Sequence, residues 1–276
     1  MIIGVSVVKD LKPHGASGTV VLTLVTTLIA LSGCAGTSRL PAKGPQTAEA
    51  VLAKALARPL PTSVQGMSRL EAFVDGTARK ADVVLLVERP DRAQFKALTP
   101  TLDLVAVLST DGKRFTSYER GRSKCYVGEA CAKNMARLVP IALPPRQLVE
   151  AVLGRPPLID AKSQKLSWDA ERSAYRVARV SADGLWQQEL WIQPTTYRIL
   201  ASVVRKKGKR VASIAYGALD KFGPKAPPGI MRLKLPERKI DMSLTLRDVT
   251  IGEDIEDAVF ALACPAGTLP VSLPCR

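Results

Sequence analysis

The sequence predicts a mainly β protein: a curved antiparallel sheet of about eleven strands forming an open half-barrel, with a few helices covering its concave face. Three observations predict it. Apolar and polar residues alternate through much of the chain, most cleanly where Ile240, Met242, Leu244 and Leu246 are interleaved with Asp241, Ser243, Thr245 and Arg247. Short polar turns such as Asp75-Gly76 and Asp111-Gly112 separate these runs. Helical periodicity is confined to a few segments and no internal repeat is present. A sheet with one apolar face must cover it, so those few helices belong on the concave side.

The elements follow in order. Residues 47–56 (TAEAVLAKAL) place Val51, Leu52, Ala55 and Leu56 on one stripe of a short helix, which Pro59 and Pro61 end. Strand-like runs then cover Leu70–Val74, Val83–Val87, the stretch around Phe95 and Ala97, Leu102–Leu108 and Lys113–Glu119. A helical interlude follows at Lys133–Val139 and, with stronger signals, at 144–154. There prolines open the segment, Leu148, Val149, Val152 and Leu153 share a face, and Gly154 lies past the end. Strands resume at Leu166–Trp168, Tyr175–Val180, Leu185–Ile192, Tyr197–Val204, Val211–Tyr216 and Met231–Leu235. Trp168, Trp186 and Trp191 are isolated on these strands and are assigned to core packing.

The N-terminal region reads as an address. Lys9 and Lys12 precede Thr19–Leu31, thirteen uncharged residues that as a helix reach only about 20 Å, short of the ~30 Å core of a bilayer. A basic start, a short apolar run and then small residues make a secretory leader. Its end, Leu31-Ser32-Gly33-Cys34, resembles the lipobox of bacterial lipoproteins. That resemblance implies diacylglyceryl attachment to Cys34 and removal of residues 1–33. Residues 34–46 are then a lipidated N-terminus and flexible tether, rich in small residues, Pro and Gly, and 47–276 form the folded domain. Ala35 stands where an Asp would favour inner-membrane retention, so the resemblance implies the periplasmic face of the outer membrane.

Export changes what the composition excludes. The only histidine of the 276 residues is His14, inside the leader. The mature chain would hold none, which excludes Ser–His–Asp and Cys–His nucleophile systems and His-ligated metals. Neither a phosphate loop nor a GxSxG motif occurs, and the expectation is a protein that is not an enzyme and carries no cofactor or metal. The acidic run 252–257 reads as a loop or helix start, with calcium as the lesser alternative. The net charge of +15 does not imply nucleic-acid binding, because export removes the target and no stacking platform is evident. Of the five cysteines, Cys125, Cys131, Cys264 and Cys275 remain after Cys34. Four allow three pairings. In an oxidising compartment the local choice is Cys125–Cys131 with Cys264–Cys275, each closing a small loop.

Four passages carry a family resemblance. They are Val87 to Phe95 (VERPDRAQF), Val107 to Phe115 (VLSTDGKRF), the helix running from Leu143 to Gly154, and the closing segment from Asp248 to Phe260. Together with the order of anchor, tether, helix, meander, helical insert and meander, they resemble the LolA/LolB-like superfamily of periplasmic lipoprotein carriers and outer-membrane receptors, over residues 47–265. The resemblance implies an unclosed barrel whose apolar cavity takes acyl chains under a helical lid. It implies ligand-binding positions at Arg89, whose counterpart holds the lid through backbone contacts, and at Phe95. The turn at 99–102 is the counterpart sought for a receptor's apolar loop tip, with Leu102 at its end. The partners implied are the membrane through the N-terminal acyl chains, an acylated lipoprotein or lipid as cargo, and a periplasmic carrier protein. The competing functions are a structural lipoprotein that docks proteins on its sheet, and a carrier of free lipid or glycolipid. Arg205, Lys206, Lys207, Lys209 and Arg210 crowd one hairpin tip. They read either as a contact for anionic lipid headgroups or as a solvated turn guarded against aggregation.

Overall fold

The structure is a computed structural model and describes residues 40–136 and 142–275. Fourteen strands form one open sheet. The first meander comprises β1 (Ser63–Val74), β2 (Thr77–Glu88), β3 (Arg92–Leu98), β4 (Leu104–Thr110), β5 (Arg114–Glu119) and β6 (Lys124–Glu129). The second comprises β7 (Ser163–Asp169), β8 (Ala174–Val180), β9 (Trp186–Ile192), β10 (Ile199–Lys206), β11 (Lys209–Gly217), β12 (Ile230–Leu235) and β13 (Ile240–Ile251). The last strand of the second meander pairs with the first strand of the other, Leu70 opposite Leu244 and Val74 opposite Ile240. The two meanders therefore share one concave face, with β7 free at one edge. At the other edge β14 (Leu269–Leu273) lies parallel to β6.

Local sequence explains the bends and covers. At Gly66, where the β1–β13 register slips, φ is +143° and a Cβ would sit 2.1 Å from the Asp248 carbonyl oxygen. Only glycine permits that approach, and the bulge falls in the strand pair that joins the two meanders. Helix α1 (Ala48–Ala57) is capped by Thr47, whose hydroxyl accepts from the Ala50 amide at 3.2 Å. Its Val51, Leu52 and Ala55 pack on Tyr175, Val177, Leu190 and Ile192, forming a core at the β8–β10 end. Leu40 packs against this same core. Helix α2 (Ala132–Met135) forms at the start of the segment predicted as helical, whose residues 137–139 lie outside the described residues. Helix α3 (Pro145–Val152) has the predicted proline at its start and the predicted apolar face, with Leu148, Val149, Val152 and Leu153 all buried. It covers the larger core, which includes Leu85, Phe95, Leu108, Phe115, Met231 and Leu246. Helix α4 (Asp257–Phe260) follows β13 and buries Phe260.

The cysteines pair, but not locally. The disulfides are Cys125–Cys264 and Cys131–Cys275, spanning 139 and 144 residues. The reason is topological: β14 runs alongside β6 in parallel, so the C-terminal segment meets the two ends of that strand at its own two ends. Strand number is also higher than expected. β6 carries Gly128 in its run, and β14 carries Pro270, which only an edge strand tolerates, so neither shows clean alternation.

Candidate functional site

The concave face is not filled uniformly. Between β9–β12 and the chain segments at either end of α3 lies a cleft of about 460 Å3. Its floor is aliphatic: Val204, Ala212, Ile214, Leu233 and Leu235. Leu143 and Gln147 form one wall, and the strap Pro157-Leu158-Ile159 forms the other. Trp186 and Arg238 complete it, at the ends of β9 and β12 where the β8–β9 and β12–β13 turns lie.

A single buried side chain fastens the strap. Gln188, on β9, is fully buried. Its amide nitrogen donates to the Pro157 carbonyl at 2.8 Å and to Ser202 Oγ at 2.9 Å. Its amide oxygen accepts from the Ile159 amide at 3.1 Å and from Arg179 Nη1 at 3.1 Å. All of its hydrogen-bonding capacity is therefore spent holding the strap away from the sheet while spanning to β8 and β10. Burial lowers the pKa of Arg179, and its Nε and the Oε1 of Gln164, on the facing residue of β7, are buried without a partner.

The helices are pinned in turn. Arg155, just past α3, donates from Nη2 to the carbonyls of Leu56 at 2.8 Å and Arg58 at 3.1 Å, tying the end of α1 to the end of α3. Tyr216 donates its hydroxyl to the Ala151 carbonyl at 2.8 Å, and burial pushes its pKa far up, so it stays a neutral donor.

At the mouth, the Lys206 ammonium sits 4.7 Å from the ring centroid of Trp186. Arg238 is exposed on the 3-10 turn Pro236–Arg238, and no carboxylate pairs with it among the described residues. Asp183 is bonded within its own turn, by the Ser181 hydroxyl and, at 3.0 Å, by the Leu185 amide.

The residues predicted from sequence fall in several places. Cys34 lies outside the described residues. Arg89 is exposed at the β2–β3 turn; its amide donates to the Thr62 carbonyl at 2.8 Å. The grip of a guanidinium on helix-end carbonyls, expected of Arg89, is made by Arg155. Phe95 is buried in the core under α3, opposite Leu85 and Leu108, and does not line the cleft. Leu102, at φ +65°, is 64% exposed on the β3–β4 turn. Within the basic hairpin, Arg205 turns to an ion pair with Glu189, which also binds Arg176, while Lys206, Lys207, Lys209 and Arg210 are exposed. The strand order puts this hairpin, Leu102, Phe73 on the β1–β2 hairpin and Leu185 on one rim, the rim onto which the cleft opens. Sequence reasoning missed Gln188 and Arg155, and it assigned Trp186 to the core.

The sequence matches no protein-family model and no curated protein. Solved structures do match. A DUF1329 family protein from Desulfovibrio piger is 10% identical, with TM-score 0.55 over 77% of this chain and 95% of that one. A LolA superfamily protein from Nitrosomonas europaea is 14% identical, with TM-score 0.49 over 78% of this chain and 98% of that one. A domain named for outer membrane lipoprotein sorting, from Vibrio parahaemolyticus, is 9% identical, with TM-score 0.47 over 78% and 95%. The match to the Desulfovibrio piger protein shows a shared fold. At these identities the likeness is one of architecture, and the function must be argued from the cleft.

Proposed function

We propose that the protein is an envelope lipoprotein of the carrier type, a binding protein rather than an enzyme, which holds an acyl chain of a lipoprotein or lipid in the cleft beneath the strap. The observation that carries this is an aliphatic hollow kept open by a satisfied polar clamp. Burying a dozen methylenes at ~0.8 kcal/mol each contributes on the order of 10 kcal/mol before the costs of ordering the chain. Few polar groups line the cleft, so release needs only a competing apolar environment. Two disulfides fit an oxidising compartment. Diacylglyceryl on Cys34 tethers the protein to the periplasmic face of the outer membrane, where it takes cargo from a periplasmic carrier. Leu102 and the cations of the 205–210 hairpin then meet lipid headgroups from their common rim.

Native mass spectrometry of the full chain purified from membranes tests the proposal. The expected result is an acyl-bearing ligand beyond the protein's own anchor, lost in Ala212→Trp, which fills the floor. A protein free of such ligand that also fails to take one up in vitro contradicts the binding role. Cys34→Ala should move the protein from the membrane to the soluble fraction; retention in the membrane contradicts the anchor.

A further inference from the structure

The size of the cleft and the charges at its mouth narrow the cargo, granted the acyl-binding reading above. A volume of about 460 Å3 is small. Liquid water takes about 30 Å3 per molecule, and a methylene group fills a similar space. The cleft therefore accommodates a run of roughly fifteen such groups, one acyl chain of common length. The two chains of a phospholipid, or the three of a mature bacterial lipoprotein, take up more than this volume. The walls resist widening, because Gln188 fixes the strap at both Pro157 and Ile159 and Tyr216 fixes α3.

The mouth is cationic on both sides. Arg238 offers a guanidinium with no carboxylate partner among the described residues, and the exposed Lys206 ammonium rests over the face of Trp186, where it can meet an incoming anion. Of the carboxylates near the mouth, Asp183 is bonded within its own turn and also feels the Lys206 charge, while Asp160 and Glu237 are exposed beside Ile159 and Arg238. A chain entering the aliphatic floor would leave its head between these two cations.

We propose that the ligand is a single-chain amphiphile with an anionic head, either the carboxylate of a free fatty acid or the phosphate of a lysophospholipid. The two share the chemistry the site reads, one apolar tail and one negative charge.

The test uses the full chain carrying Cys34→Ala, delipidated, so that its own acyl groups cannot compete. Native mass spectrometry and titration are run with palmitate, palmitoyl lysophosphatidylglycerol, palmitoyl lysophosphatidylcholine, dipalmitoyl phosphatidylglycerol and a triacylated lipopeptide. Palmitate or the anionic lysolipid, or both, should bind one to one, and at least tenfold more tightly than the two-chain and three-chain probes. The double variant Lys206→Gln/Arg238→Gln, both positions exposed, should weaken the anionic single-chain ligands about tenfold and leave lysophosphatidylcholine unchanged. Preference for the lipopeptide or the two-chain lipid overturns this inference and leaves the acyl-binding reading standing. Equal binding of the two lysolipids, unaffected by the double variant, overturns the headgroup assignment. If no probe binds, the broader reading falls as well.

Discussion

Two stretches of one concave face are built from the same aliphatic side chains and end up in opposite states. Under α3, Leu85, Phe95 and Leu108 pack with Leu148, Val149 and Val152 in one buried core. Under the strap, Ile214, Leu233 and Leu235 face a hollow. The difference lies in the cover. α3 brings an apolar helical face, with its amides and carbonyls satisfied internally, and can pack flush. The strap is irregular backbone rich in proline, and its carbonyl and amide, turned toward the sheet and away from water, need partners. Gln188 supplies them from a side chain long enough to hold the strap off the sheet. A polar clamp thus makes a void that apolar packing would have closed.

This contrast sorts the expected effects of substitution. Leu148→Ala removes a side chain from the filled stretch and should cost about 3 kcal/mol of stability in denaturant titration, because the surroundings cannot collapse into the gap. Gln188→Ala strips partners from two buried backbone groups of the strap and should cost about 2 kcal/mol. It should also open residues 157–162 to limited proteolysis, whereas Leu148→Ala should not do so selectively. Tyr216→Phe loses one buried hydrogen bond to α3 and should cost about 1 kcal/mol. Leu235→Ala, on the cleft floor, should cost less than about 1 kcal/mol, because its side chain already faces space. Equal losses for Leu148→Ala and Leu235→Ala would erase the distinction between the stretches. The smallest effect is electrostatic. Hydrogen bonds from Arg232, then from Lys234, hold Asp241 on the convex side of β12–β13 down to about 2. A depressed carboxylate contributes stability above its unfolded value of about 3.9 and loses it as pH falls through the folded one. Asp241→Asn should therefore narrow the stability difference between pH 5 and pH 2 without altering the cleft.

Legibility in the sequence followed the same divide. The filled stretch was readable because its signals are local: Pro145 at the start of α3, Gly154 past its end, a one-sided apolar face, and strands whose alternation matches their burial. The hollow was not. On β9 the inward face set by Trp186 and Leu190 is broken between them by a polar residue, Gln188 itself. Trp186 reads as core when nothing indicates that the floor beside it is empty. The guanidinium that grips the helix ends, Arg155, follows a helix rather than the Arg-Pro pair that drew the expectation to Arg89. The disulfides show the limit of proximity along the chain. Five residues separate Cys125 from Cys131, but a parallel edge strand places each beside a cysteine near the C-terminus.

The central claim is that an acyl chain enters the hollow under the strap. Trp186 lines that hollow, while Trp168 and Trp191 line a groove with Arg176 and Arg205 on the opposite face of the sheet. Fluorescence quenching by a bromine-labelled fatty acid therefore reports the site directly. The account predicts saturable quenching that Trp186→Phe abolishes and that a Trp168→Phe/Trp191→Phe double variant retains. Quenching that survives Trp186→Phe and disappears with the other two tryptophans would contradict it.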